Sequence, residues 1–153
     1  MALEIERKFL VVDPDCVVGV TGVALRQGYL CRSEAGVVRV RIAAAEAFLT
    51  VKSRTVGAVR EEYEYPVPLA DAERMLVLCG GLIVAKTRYR IPHEGLVWEV
   101  DVFNGANRGL LLAECELEAA DQPVRVPVWA GAEVTGDERY HNSYLAAHPF
   151  TTW

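Results

Sequence analysis

Acidic and basic residues recur at every second position of this chain, as Glu4, Glu6 and Lys8, then Arg39 and Arg41, Lys52 and Arg54, and Arg60, Glu62 and Glu64. The pattern resumes with Lys86, Arg88 and Arg90, with Glu99 and Asp101, and with Glu114, Glu116 and Glu118. Carboxylate oxygens are the hard ligands that Mg²⁺ and Mn²⁺ take. Clustered Lys and Arg hold phosphate oxygens, Arg best where two oxygens are bridged. Acids concentrate in some segments and bases in others, so the set as a whole suits a polyphosphate carrying a divalent cation.

A spacing of two belongs to the β-strand, whose alternate side chains point to opposite faces. Eight segments read as strands, at about 2–12, 24–32, 36–44, 47–54, 59–67, 82–92, 95–103 and 110–119. Their other faces carry Ile5, Phe9, Val40, Ile42, Tyr63, Tyr89, Trp98, Val100 and Cys115, so every segment but the second has one ionic and one apolar side. Turn residues at Glu34-Ala35-Gly36, Thr55-Val56-Gly57, His93-Glu94-Gly95 and Asn104-Gly105 separate them, and joints this short make neighbours antiparallel. Two helices are expected. One runs from Leu69 to Leu78 and ends at Gly80-Gly81; the other covers about 137–147 and stops before Pro149. The Trp- and Pro-rich stretch over about 122–136 reads as irregular packing without chemistry.

A sheet with one solvated face is the ordinary source of such alternation. Segregation by sign favours a different arrangement, in which eight antiparallel strands close into a barrel and turn their ionic faces towards a common lumen. Burying an ion costs several kcal/mol even after relaxation, against a domain stability of about 5–15 kcal/mol. The lumen must therefore be wet or filled. The apolar outer faces need covers, for which the helices, the Trp-rich stretch or a second subunit in a homodimer are available.

Composition narrows the class. At 153 residues, 52% hydrophobic and 24% charged, residues 1–153 suit one mainly β domain with its own core. Formal net charge is −5, which argues against a general nucleic-acid binder. No run approaches the roughly 20 apolar residues of a membrane span, and the first residues have no signal-like apolar stretch, so a cytoplasmic protein is expected. Cys16, Cys31, Cys79 and Cys115 lack metal-site spacing and read as reduced, mostly buried thiols.

In this order the segments resemble the CYTH, or triphosphate tunnel metalloenzyme, superfamily. The resemblance rests on Glu4-Ile5-Glu6-Arg7-Lys8, Leu25-Arg26-Gln27-Gly28-Tyr29-Leu30, Arg39-x-Arg41, Lys52-Ser53-Arg54, Arg60-Glu61-Glu62-Tyr63-Glu64, Lys86-Thr87-Arg88-Tyr89, Glu99-Val100-Asp101-Val102-Phe103 and Glu114-Cys115-Glu116. It implies an eight-stranded tunnel that uses Mg²⁺ or Mn²⁺ on a small triphosphate. It also assigns roles. Glu4, Glu6 and Glu116 match the family's metal-binding acids, with Glu114 in support. Lys8, Arg39, Arg41, Lys52, Arg54, Lys86 and Arg88 match its phosphate clamps, with Arg26 added to the binding set. Lys8 and Lys86 join Tyr29 as candidate catalytic groups, Tyr29 matching a tyrosine tied to attack at a triphosphate end. Glu62, Glu64 and Asp101 either hold a second metal or water, or pair with the tunnel's own bases. His141 stands where the family often has Lys. Family members include inorganic and thiamine triphosphatases and class IV adenylyl cyclases. An inorganic triphosphatase fits this chain best, since no extra segment offers an adenine pocket; a cyclase, a thiamine triphosphatase and a non-catalytic polyphosphate-binding module are the alternatives.

Overall fold

In a computed structural model that describes residues 3–153, the alternating segments form nine strands: β1 (Leu3–Val11), β2 (Gly22–Ser33), β3 (Gly36–Ala43), β4 (Glu46–Ser53), β5 (Val59–Pro66), β6 (Ile83–His93), β7 (Leu96–Phe103), β8 (Leu111–Glu116) and β9 (Ala130–Glu133). The expected start of the first strand at residue 2 lies outside the described residues. Eight strands make a closed antiparallel ring in the order β5-β4-β3-β2-β6-β7-β8-β1, with β1 returning to β5. Closure is brief. Only Leu3, Ile5 and Glu4 pair with Glu61, Val59 and Arg60, and further along the same edge β1 pairs with β9. Strand β9 falls within the stretch expected to be irregular, where its four residues carry no alternation to read.

Tight turns fix the register, and the register decides which charges meet. Between β6 and β7, Glu94 and Gly95 both have positive φ, the backbone of a two-residue hairpin whose twist matches its strands. Arg88 is thereby set opposite Asp101. On β1, Lys8 lies opposite Glu114 and Glu6 opposite Glu116, while Lys52 of β4 faces Glu62 of β5.

The outer faces are covered in two places. Helix α1 (Leu69–Leu78) lays Ala72 and Leu76, with Cys79 just beyond it, on Val40, Ile42 and Ala47. Gly28 of β2 is required there, because a Cβ at that position would lie 2.7 Å from the Sγ of Cys79 and the Cδ1 of Ile83. On the other side Phe9, Trp98, Val100 and Cys115 pack under Cys16, Val17, Val124 and Trp129, so the Trp-rich stretch is a lid over the outer core.

The second expected helix is broken and lies elsewhere than on an outer face. A 3-10 turn at Glu138–Tyr140 is followed by extended backbone at His141, and only then by α2 (Asn142–Ala147). Asp137 accepts from the Arg139 amide and closes the first turn separately. Leu145 and Ala146 pack on Tyr29, Val84, Phe103 and Leu112, the last three sharing strand parity with Lys86, Asp101 and Glu114. Helix α2 thus plugs one end of the ring from inside. Among the four cysteines, all free, Cys79 and Cys115 are buried, Cys16 is half-buried and Cys31 is exposed, so burial holds for only part of the set. No helix among the described residues is long and apolar enough to cross a membrane.

Candidate active site

Inside the ring lies a cavity of about 250 Å³, lined by Glu4, Glu6, Lys8, Tyr29, Arg39, Arg41, Lys52, Arg60, Glu62, Glu64, Lys86, Arg88, Glu99, Glu114 and Glu116, with His141, Asn142, Ser143 and Val37 at the plugged end. On β1, β3, β7 and β8 the apolar residues opposite the ionic ones pack outside against α1 or the Trp-rich stretch, whereas Val51, Tyr63 and Tyr65 on the outer faces of β4 and β5 stay exposed. Lys8, Lys52, Lys86, Arg39 and Glu114 are all buried, a density of desolvated charge that a fold keeps only where opposite charges answer one another.

The pairs divide into two groups. Near the plug, Lys86 Nζ donates to Asp101 at 2.6 Å and to Asn142 at 3.2 Å, and Arg88 donates two bonds to Asp101 at 2.7 and 2.8 Å. Lys8 Nζ donates to the Tyr140 carbonyl at 3.1 Å and stands 3.9 Å from Glu114. On the opposite wall Lys52 bridges Glu4 and Glu62, each at 3.1 Å, and Arg60 pairs with Glu4 and, at 3.6 Å, with Glu6. Arg39 and Arg41 both reach Glu64 at 3.4 Å, with Thr50 completing the contact to Arg39.

Protonation follows from these neighbours. Burial pushes Glu4 up, but Lys52 and Arg60 outweigh it and hold the carboxyl at about 2. Glu114 is also buried and is held well below the usual range by Lys8, Arg88 and Lys86. Glu6 goes the other way, raised to about 8 by burial and by the neighbouring Glu114 and Glu4. Burial lowers Lys86 to about 8 against the pull of Asp101. It lowers His141 to about 4, helped by Lys8 and Arg60, so this imidazole is neutral at physiological pH.

Most of the residues expected in the site converge, and three stand apart. Arg26 points outward from β2 and pairs with Glu73 of α1 at 2.6 Å; its neighbours Leu25 and Gln27 take the inward parity. Arg54 lies just past β4 and lines an adjoining groove with Arg32, Ser53 and Tyr144. Asp101 is fully buried beneath the cavity, with both oxygens taken by Lys86 and Arg88, so of the two roles open to it the pairing with bases is the one it fills. Arg90 is exposed, and Glu118 follows the end of β8. Arg60 and Glu99 belong to the lining and share the parity of the other charges, which was the signal for them. Thr50, Gln27 and Asn142 are uncharged and offered none.

The acidic wall suits a hard divalent cation. Burial and the neighbouring Glu114 and Glu4 raise the Glu6 carboxyl to about 8, so it carries a proton at neutral pH. A cation would replace that proton while using the same oxygens. No three acidic, histidine or cysteine side chains among the described residues are already gathered on one point, and Glu4 is paired with Lys52 and Arg60. The donor set therefore fits on chemistry, through Glu4, Glu6, Glu114 and Glu116.

The ring, its plug and its opposed walls of charge define a class. The CYTH domain model matches residues 2–144, and the chain belongs to that family. It is 42% identical over 151 residues to the inorganic triphosphatase of Acetivibrio thermocellus, covering 98% of this chain and 97% of that one. It is likewise 42% identical over 149 residues to the inorganic triphosphatase of Nitrosomonas europaea, covering 94% and 96%. A crystal structure of an inorganic triphosphatase superposes with a TM-score of 0.69 at 39% identity over 95% of each chain. A putative adenylyl cyclase from Hippeastrum, described as having a dominant triphosphatase activity, shares the fold with a TM-score of 0.56 at 19% identity, over 76% of this chain and 80% of that one.

Proposed function

We propose that the protein hydrolyses inorganic tripolyphosphate, with Mg²⁺ or Mn²⁺ held by Glu4, Glu6, Glu114 and Glu116. The observation that carries this is the cavity itself. At about 250 Å³ it falls below the roughly 300–1,000 Å³ of sites that enclose drug-sized organic ligands. Its walls are ionic, and Tyr29 and His141 are the two rings among the described lining residues. Such a chamber suits a compact polyanion better than a nucleoside or thiazole group.

In this reading Arg39, Arg41, Lys52 and Arg88 orient the phosphate chain and offset its charge. The bound cation would supply Lewis-acid stabilisation and lower the pKa of a water. Water attacks the terminal phosphorus, the bond to its bridging oxygen breaks, and orthophosphate and diphosphate are the products. Phosphoryl transfer needs little beyond positioning and preorganised charge, so no protein nucleophile is required. Lys8 and Lys86 lie at the plugged end, where they neutralise charge building on the bridging oxygen. Lys86, with its pKa near 8, is the group suited to hand that oxygen a proton. Asp101 positions Lys86 and Arg88, and Glu62 and Glu64 hold Lys52, Arg39 and Arg41 in place.

The test offers tripolyphosphate, ATP and thiamine triphosphate with each metal and measures orthophosphate and cyclic AMP. Release of orthophosphate fastest from tripolyphosphate, without cyclic AMP, is expected. Cyclic AMP as the main product, or faster turnover of either organic triphosphate, would overturn the assignment.

A further inference from the structure

The inward face of β2 contributes Leu25, Gln27 and Tyr29, and Gln27 is the polar residue of the three that does not reach the cavity. It is fully buried and absent from the lining, yet its Nε2 donates to the Tyr29 hydroxyl at 3.1 Å. Its Oε1 has no partner. A buried carboxamide with an orphaned acceptor costs stability, and packing alone would be served as well by Met or Leu. The backbone between the two has no room to move outward, because Gly28 is pressed against Cys79 and Ile83 outside the ring.

We infer that Gln27 is a positioning residue that occupies the acceptor side of the Tyr29 oxygen, so that the tyrosine's own proton is presented to a phosphate oxygen in the cavity. A phenol has one proton to give. With Gln27 donating to its oxygen, that proton has to find an acceptor elsewhere, and Tyr29 borders the cavity. The opposite orientation of the carboxamide would take the tyrosine proton onto Oε1 and leave both buried N–H donors orphaned, against one N–H and the acceptor in the orientation seen, and an orphaned buried N–H is the less tolerated of the two. Cations line the same cavity from the surrounding strands, with Arg39 on β3, Lys8 on β1 and Arg60 on β5, and none of them accepts a proton. A substrate oxygen would complete the set.

The inference rests on the triphosphatase reading and specifies how one residue of that site is aimed. It is tested by a double-mutant cycle in tripolyphosphate hydrolysis. Tyr29→Phe should lower kcat by about 10²-fold, as loss of one preorganised donor does, and Gln27→Met by about 10-fold, each moving KM less than kcat. In a Tyr29→Phe background Gln27→Met should cost nothing further, because the amide acts only through the hydroxyl. Gln27→Glu keeps the volume but turns the contact around, accepting the tyrosine proton, and should bring kcat down to the Tyr29→Phe level. Independent losses that multiply in the double variant would overturn the inference, as would wild-type kcat in Gln27→Glu. Both results presuppose wild-type turnover. A wild-type protein that releases no orthophosphate from tripolyphosphate would instead overturn the underlying reading, and this inference with it.

Discussion

Single residues in this site are legible through their neighbours, and two of them set its response to pH. Glu6 has a folded pKa of about 8 against an ordinary value of 4.5, so it binds a proton more tightly in the folded state. Its protonation supports the fold fully below pH 4.5, and that support is lost as pH rises through 8. A divalent cation would take over the proton's place. Mg²⁺ should therefore raise Tm little at about pH 5 and clearly at about pH 9, and Glu6→Gln should shrink the difference; thermal melts with and without Mg²⁺ read it directly, and equal increments at both pH values would contradict the metal assignment. Lys86 titrates in the opposite sense, losing its charge above about 8. The kcat/KM of the free enzyme should fall above that pH. Lys86→Arg, whose guanidinium stays charged, should remove this basic limb while lowering turnover, as pH–rate profiles of the two proteins would reveal.

At the scale of elements, alternation made the strands readable and also sorted their faces. The ring strands lie close to where the spacing of charges put them, because a residue on an antiparallel strand has only two directions to point. What alternation could not reveal was destination. Arg26 is a base within a family-like run, but parity sends it to α1, where Glu73 receives it. Asp101 has the right parity and is sealed off by two cations. Strand β9, with Ala130, Gly131 and Ala132 among its four residues, carries too little side-chain contrast to signal a strand. The plug was equally hidden. The apolar residues of α2 mark a buried face without saying whether it packs inside or outside the ring. Leu145 is fully buried in that plug, so Leu145→Ala should destabilise the fold by about 2–5 kcal/mol. Urea unfolding measures the loss, and a change of a few tenths would mean that α2 does not seal the lumen.

For the molecule as a whole, net charge and local charge disagree in a useful way. A formal charge of −5 would repel a polyanion from the average surface, yet Lys8, Arg39, Lys52, Lys86, Arg88 and Arg60 are gathered within one chamber. Acids equal in number to the bases line the same chamber, so a polyanion reaches these cations by exchanging with their carboxylate partners, and added salt weakens that exchange. Tripolyphosphate in the presence of a chelator should still bind these cations and stabilise the protein, by about 2.7 kcal/mol at a hundredfold excess over Kd. The gain in Tm should diminish with added salt. Absence of any shift would show that the cations are committed to their carboxylate partners.

The seam of the ring has a bearing on how the protein comes into being. Glu6 and Lys8 lie opposite Glu116 and Glu114 of β8, which come far later in the chain. Strand β1 can meet β5 over three residues once that strand is made, and Glu4 then has Lys52 and Arg60, but the longer side of its seam must wait for β8. A nascent chain that stops short of β8 would consequently hold most of the ring's sequence but only Glu4 and Glu6 of the four acids proposed to hold the cation, and catalytic competence should arrive abruptly once β8 is made.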